Sequence, residues 1–162
     1  MHMNWLGVVI GTVAGMAVAG VWYGKLFVTT WSNLTGVTSE QSKASSSRNM
    51  AQLLLANTVT AVGLAVAVEV TFAATGVRSV WLAVLVGAAV WLAFSATTLL
   101  QHNAFELKPP RLTVINSAYQ LTLFLAMALA IGLSSWVWQA TMSIGWDIWL
   151  SRVPKETFEF KV

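Results

Sequence analysis

Four long apolar runs, separated by three short polar stretches, dominate the pattern of hydrophobic and polar positions along the chain. The runs cover residues 4–27, 50–74, 80–100 and 112–133, and almost no charge interrupts them. An α-helix needs about 20 apolar residues, at about 1.5 Å rise each, to cross the hydrocarbon core of a bilayer. The pattern therefore predicts an all-α membrane protein built as a bundle of four transmembrane helices.

The polar stretches predict where these helices begin and end. In the first, residues 28–49, a polar segment favours either a short surface helix capped at Thr38 or Ser39, or a loop. In the second, Gly76 can end one helix and Ser79 can cap the next. The third contains two prolines, at positions 109 and 110, so the fourth helix is predicted to begin near Leu112.

The C-terminal part of the chain has a different pattern from the four apolar runs. Two faces of a helix emerge from the spacing, one polar (Gln139, Ser143, Asp147, Ser151) and one apolar (Trp138, Met142, Trp146, Trp149). This pattern predicts an amphipathic helix at the membrane interface. A fifth short span over residues 134–151 is the alternative, which the carboxylate of residue 147 disfavours. The expected domains are residues 1–136, transmembrane, and residues 137–162, interfacial helix and tail.

Composition and charge narrow the classes of protein further. The chain is 57% apolar and 9% charged, against about 25% charged in a typical soluble domain. We therefore expect membrane lipids as partners and no separate soluble domain. The basic residues are scattered, so no nucleic-acid-binding tract is predicted. The chain has no cysteine and two histidines, which gives no basis for a metal site, and the sequence indicates no particular cofactor.

The distribution of Lys and Arg predicts the orientation in the membrane. Five of them flank or occupy the first and third polar stretches (Lys25, Lys43, Arg48, Lys108 and Arg111). The opposite side carries Arg78, and then the tail residues Arg152 and Lys155 beyond the fourth apolar run. Basic residues favour the cytoplasmic side. We therefore expect a multi-pass protein of the cell membrane with both termini outside.

Small residues repeat along the first apolar run. Gly7, Gly11 and Gly15 are spaced four apart, so they form a smooth groove on one helical face. Such a groove allows another helix to approach closely. The partner helix belongs either to the same subunit or to a neighbouring subunit, and the sequence leaves both alternatives open.

Polar residues gather at the predicted cytoplasmic ends of the helices. Polar side chains at this depth need partners inside the bundle. They either fix the helix register through hydrogen bonds or form a vestibule for a headgroup, an ion or a small ligand. Tyr23 lies at the same level. The hypothesis is that one cavity collects eight side chains: Gln52, Asn57, Ser95, Thr98, His102, Asn116, Tyr119 and Gln120.

Two other residue types invite a functional interpretation. Glu69 is the only acid inside a predicted span. It is either a headgroup-level carboxylate paired with Arg78 or a proton or cation site. Tryptophans such as Trp22 and Trp31 lie near span ends, which is typical of interfacial belts, while Trp91 lies in mid-span.

Two segments carry a resemblance to a known family. Residues 20–27 read Gly-Val-Trp-Tyr-Gly-Lys-Leu-Phe, and residues 115–119 read Ile-Asn-Ser-Ala-Tyr, after an Asn-Trp-Leu start at residues 4–6. The chain resembles a bacterial family of small four-span membrane proteins catalogued as a domain of unknown function. The resemblance implies a fold and a membrane location and no activity.

The expected function is that of a non-enzymatic integral membrane protein, either a homo-oligomer or an accessory subunit of a larger membrane complex. A small channel or carrier for an ion or small solute is one alternative. A membrane enzyme that binds lipid or quinone is the other, but it needs an acid–base or metal constellation, and Glu69 and His102 are predicted to lie at opposite ends of the bundle.

Overall fold

The structure is a computed structural model that describes residues 3–152, with side chains described up to residue 137 and at residue 141. Seven α-helices and two π-helical segments follow one another in this part of the chain. They are α1 (Trp5–Val21), a first π segment (Trp22–Leu26), α2 (Val28–Thr35), α3 (Ser39–Ala44), α4 (Ser46–Thr75), α5 (Val80–Val90), a second π segment (Trp91–Ala96), α6 (Thr97–Phe105) and α7 (Pro110–Arg152).

Four helical segments are long and apolar enough to cross a membrane. We call them span one (Trp5–Leu26), span two (Ser46–Thr75), span three (Val80–Phe105) and span four (Pro110–Val137). The predicted all-α fold with four spans is therefore confirmed. The number of spans makes this an integral membrane protein of the multi-pass type.

The spans form a ring in chain order, each beside its antiparallel neighbour. Span one lies between span two and span four, and span three closes the ring against the same two. The core between them is apolar and fully enclosed. It is centred on Leu64, Val68, Phe72, Met127 and Ile131, each at most 2% exposed.

The glycine ladder of α1 faces the inside of the ring. A methyl group added at Gly11 would lie 3.6 Å from Cγ1 of Ile131 and 3.7 Å from Cβ of Ala61. One added at Gly7 would lie 2.6 Å from the Ser134 hydroxyl. The structure thus places the ladder against spans two and four of the same chain, where the lack of side chains allows close approach.

The ends of the helices follow the local sequence. Thr38 and Gln41 form a capping box at the start of α3, which confirms the surface helix. Gly76, at a φ of 68°, ends α4, and the Ser79 hydroxyl accepts a hydrogen bond from the Trp81 backbone N–H. Both predictions for this turn are confirmed.

Some helix boundaries differ from the sequence predictions, and one helix is additional. Span four begins at Pro110 rather than near Leu112, because proline fits the first turn of a helix, whose N–H groups have no partner. Span three extends to Phe105, since its polar last turns still have good helix formers. The first polar stretch contains α2, which apolar periodicity does not reveal in eight residues.

Helix α7 continues without a break to Arg152. No helix end marks the predicted border between residues 136 and 137. The polar and apolar faces predicted for residues 138–151 lie outside the described side chains, so an interfacial position for this segment stays a prediction. Residues 153–162 lie outside the described part of the chain.

Candidate functional site

Spans one and three each contain a π-helical segment that begins with a tryptophan, Trp22 in the last turn of span one and Trp91 in the middle of span three. A π turn widens the helix and is frequent at functional sites. Both tryptophans contact the beginning of α7. The Trp91 indole Nε1 donates a hydrogen bond of 3.1 Å to the Ser117 carbonyl oxygen, and the Trp22 ring centroid lies 6.2 Å from that of Tyr119. The irregular turns therefore face the same stretch of span four.

Aromatic rings and one amide meet between span one and span four, and we call this group the aromatic site. The Tyr23 hydroxyl donates a hydrogen bond of 3.1 Å to Oδ1 of Asn116. The Tyr23 ring centroid lies 4.8 Å from that of Tyr119 and 5.7 Å from that of Trp31. The aromatic site consists of Trp22, Tyr23, Phe27, Trp31, Asn116 and Tyr119.

Hydrogen-bonding capacity at the aromatic site is incompletely used. Among the described residues, the buried Nε1 of Trp22 is a donor without an acceptor. Tyr119 is only 5% exposed, and its hydroxyl has no hydrogen-bond partner in residues 3–137. Asn116 accepts from Tyr23 while its amide nitrogen donates to no described group. Of these three donors, only the Trp22 Nε1 is a buried atom, and a buried polar group without a partner is uncommon and calls for an explanation.

A charged contact lies at the opposite end of the bundle. Arg78 donates from Nη1 to Oε1 of Glu69 at 3.3 Å and from Nη2 to Oε2 at 3.1 Å. The Glu69 side chain is 5% exposed and that of Arg78 38% exposed. The guanidinium carbon also lies 5.5 Å from the Phe72 ring centroid. The pairing with Arg78, one of the two alternatives for Glu69, is thus present, and a proton or cation site there stays a prediction.

A neutral hydrogen-bonded contact lies at that same end. The buried Asn4 side chain accepts from the Gly7 backbone N–H at 2.9 Å and donates to the Ser134 hydroxyl at 2.9 Å. It caps α1 and ties its start to the end of span four. This role was not predicted from the sequence, although asparagine directly before an apolar run is a common cap.

The family comparison covers most of this architecture. A family model described as "Protein of unknown function (DUF1761)" matches residues 6–132. The chain belongs to the DUF1761 family. The expected resemblance to a family of unknown function is confirmed. No curated protein and no solved structure matches the chain.

Both motifs behind the resemblance lie within the matched region, and the structure brings them together. In this DUF1761 protein, Tyr23 belongs to the first motif, whereas Asn116 and Tyr119 belong to the second. Their contact forms the centre of the aromatic site. From the sequence, Tyr23 is predicted at the same depth as Asn116 and Tyr119, whereas Trp22 and Trp31 are predicted in the interfacial belt. A linear pattern does not show which residues an indole contacts.

The other residues of the predicted cavity lie in several environments. Asn57 is buried in mid-bundle, where its amide donates to the sulfur of Met16 at 3.3 Å. Gln52 and Thr98 are exposed, and the Thr98 hydroxyl bonds to its own helix at Phe94. His102 is exposed, 3.9 Å from Glu106. Ser95 and Gln120 are half-buried. Of the eight, Asn116 and Tyr119 share the aromatic site, and convergence of all eight stays a prediction.

Proposed function

We propose that this DUF1761 protein is a non-enzymatic membrane protein that works as an oligomer or as an accessory subunit of a larger membrane complex. The observation that carries the proposal is the closed apolar core between the two polar ends. Across the middle of the bundle, Ala61, Leu64 and Ala65 of α4 and Met127 and Ile131 of α7 are at most 2% exposed.

This core does not favour the channel or carrier alternative. An ion or polar solute needs a line of polar groups or water to replace its hydration shell. The described polar contacts between spans concentrate at the two ends, the Tyr23–Asn116 hydrogen bond at one and the Asn4–Ser134 hydrogen bond at the other. Two polar contacts lie between these ends: the Asn57 amide faces the sulfur of Met16, and the Trp91 indole donates to the Ser117 carbonyl oxygen. Neither leaves a line of polar groups through the core.

The described side chains also do not favour an enzyme. Glu69 forms an ion pair with Arg78 at one end, and His102 is exposed on α6 at the other. In residues 3–137, no three His, Asp or Glu side chains lie together as a metal site. Acid–base catalysis needs such groups within hydrogen-bond reach of one another.

Span three supports a role that depends on a partner. Only 11% of the residues in the most apolar stretch of this span are buried inside the bundle, compared with 33% for spans one and two and 44% for span four. Its outward side chains include Leu85 and Leu92, which are 65% and 60% exposed. Lipid or another protein helix covers this surface, and helices in a bilayer associate through packing of such faces.

Photo-crosslinking in native membranes tests the proposal. A benzophenone amino acid is placed at Leu85 or Leu92 of span three, and at Val59 of span two as the matched control, which is 64% exposed. We expect irradiation to join the span-three variants to a second copy or to a discrete larger protein, and the control to give lipid adducts alone. Lipid adducts at all three positions, together with a monomer after gentle purification, would refute the subunit role.

A further inference from the structure

We infer that the aromatic site binds the carbonyl oxygen of a lipid-soluble quinone. This inference adds a ligand to the protein and does not depend on the proposed subunit role. It rests on the unused hydrogen-bond donors of the aromatic site, on the rings that surround them and on the irregular backbone beside them.

The donors call for an acceptor that the chain does not provide. Nε1 of Trp22 is buried without a partner. The Tyr119 hydroxyl and the Asn116 amide nitrogen also donate to no group within the described residues, but these two atoms are accessible rather than buried. A hydrogen-bond donor that is shielded from water costs free energy unless an acceptor pairs with it. All six side chains of the aromatic site are uncharged at neutral pH, which favours a neutral carbonyl over a carboxylate or phosphate.

The walls of the site favour a flat ring. The Tyr119 ring centroid lies 6.2 Å from that of Trp22, with 54° between the ring planes, and 4.8 Å from that of Tyr23, with 58° between the planes. At these distances the three rings contact one another, so a ligand ring would pack against the outer faces and edges of the group, in offset or edge contacts. A quinone headgroup combines such a ring with two carbonyl acceptors, whereas a glycerolipid ester offers the carbonyl without the ring.

Phe27 is the neighbour that a ligand at Trp22 would have to displace. Its ring contacts the Trp22 ring, with centroids 4.8 Å apart. Phe27 lies between the first π segment and α2, with φ and ψ of −122° and 11°. A quinone that partitions into the bilayer would arrive beside span one and displace this ring.

Photolabelling of the full-length protein in nanodiscs tests the inference. The probe is a photoreactive azidoquinone, with excess decylubiquinone as the competitor, and mass spectrometry locates the label. We expect competed label on residues 22–31 or 112–120. Trp22→Phe keeps the ring and removes the donor, so it should reduce competed labelling about fivefold, as expected for one lost hydrogen bond. Tyr119→Phe should reduce competed labelling by a similar factor, and it is the second test if Trp22→Phe does not fold.

Trp81→Phe is the matched control, because Trp81 is 78% exposed at the other end of the bundle, and it should leave labelling unchanged. Label that is not competed, or that is equal in Trp22→Phe, Tyr119→Phe and the unmodified protein, would overturn the inference. So would native mass spectrometry that finds a diacyl phospholipid, and no quinone, held by the purified protein. A monomeric protein that binds quinone at this site, and whose crosslinks at Leu85 and Leu92 are to lipid only, would refute the subunit role alone.

Discussion

At the residue scale, the closest contacts between spans occur where a side chain is missing or small. Gly7, Gly11 and Gly15 of α1 face spans two and four, whereas Gly20 and Gly24 have no neighbour within reach of an added methyl group. The same four-residue spacing of glycine by itself indicates a packing groove in both stretches. It could not tell them apart, because the spacing is the same and only the position of the other helices differs.

Leucine at Gly11 should destabilise the bundle by about 1–3 kcal/mol through overpacking. An added methyl group alone meets Ile131 and Ala61 at ordinary contact distances, so Gly11→Ala should cost little, whereas the longer side chain of Gly11→Leu must displace them. Gly20→Leu is the control, since nothing lies within 4 Å there. Thermal unfolding in detergent measures the difference. Equal stability of Gly11→Leu and Gly20→Leu would show that α1 does not pack through this face.

Removing Arg78 should destabilise the protein more than removing both members of the ion pair. Arg78→Ala leaves the buried Glu69 carboxylate without its partner, at a cost of about 1–3 kcal/mol after discounting for the exposed guanidinium. The double variant Glu69→Gln with Arg78→Ala removes that unpaired charge and should recover part of the loss. Thermal unfolding of the two variants makes the comparison, and a double variant no more stable than Arg78→Ala would contradict it.

At the element scale, the four spans, the capped surface helix α3 and the tight turn at Gly76 could be predicted from the sequence. Each depends on local chemistry, such as apolar run length, a capping box or a residue that adopts positive φ. The two π segments could not be predicted, because the residues from Trp22 to Leu26 and from Trp91 to Ala96 have ordinary helical composition. Both segments contact span four, through Trp22 and Tyr23 in the first and through Trp91 in the second.

Trp91→Phe should weaken the contact between spans three and four by about 1 kcal/mol, because it removes the indole hydrogen bond to the Ser117 carbonyl and keeps an aromatic ring. Trp81→Phe provides the comparison, since this indole is exposed. The measured quantity is the free energy of unfolding in detergent. A loss of equal size in both variants would assign the effect to general membrane or detergent contacts of tryptophan.

At the scale of the whole molecule, the aromatic site shows what a sequence can and cannot predict about function. Helical spacing predicts that Asn116 and Tyr119 lie together with other polar residues near one end of the bundle. That Tyr23 and Trp22 are their neighbours depends on the order in which the four spans pack side by side. That packing depends on how the small residues of α1 and the bulky residues of α7 fit together, which a linear pattern does not show.

The orientation predicted from the basic residues, with both termini outside, is testable on intact cells. Because the chain has no cysteine, single cysteines can be introduced at Val77, in the turn between spans two and three, and at Ser42 in α3. Both positions are exposed. We expect a membrane-impermeant maleimide to label Val77→Cys directly and Ser42→Cys only after permeabilisation. The reverse pattern would show that the tail charges determine orientation.

Cysteine accessibility inside the bundle tests the closed core most directly. Ala65 and Ala128 are 0% exposed, and cysteine is little larger than alanine. A charged methanethiosulfonate reagent reacts with a thiolate, which forms only where water reaches the sulfur. We predict that Ala65→Cys and Ala128→Cys stay unmodified from either side of the membrane and react fully after denaturation, while Val77→Cys reacts at once. Rapid modification of the two core cysteines in the folded protein would contradict the closed core and favour a water-filled path for a solute.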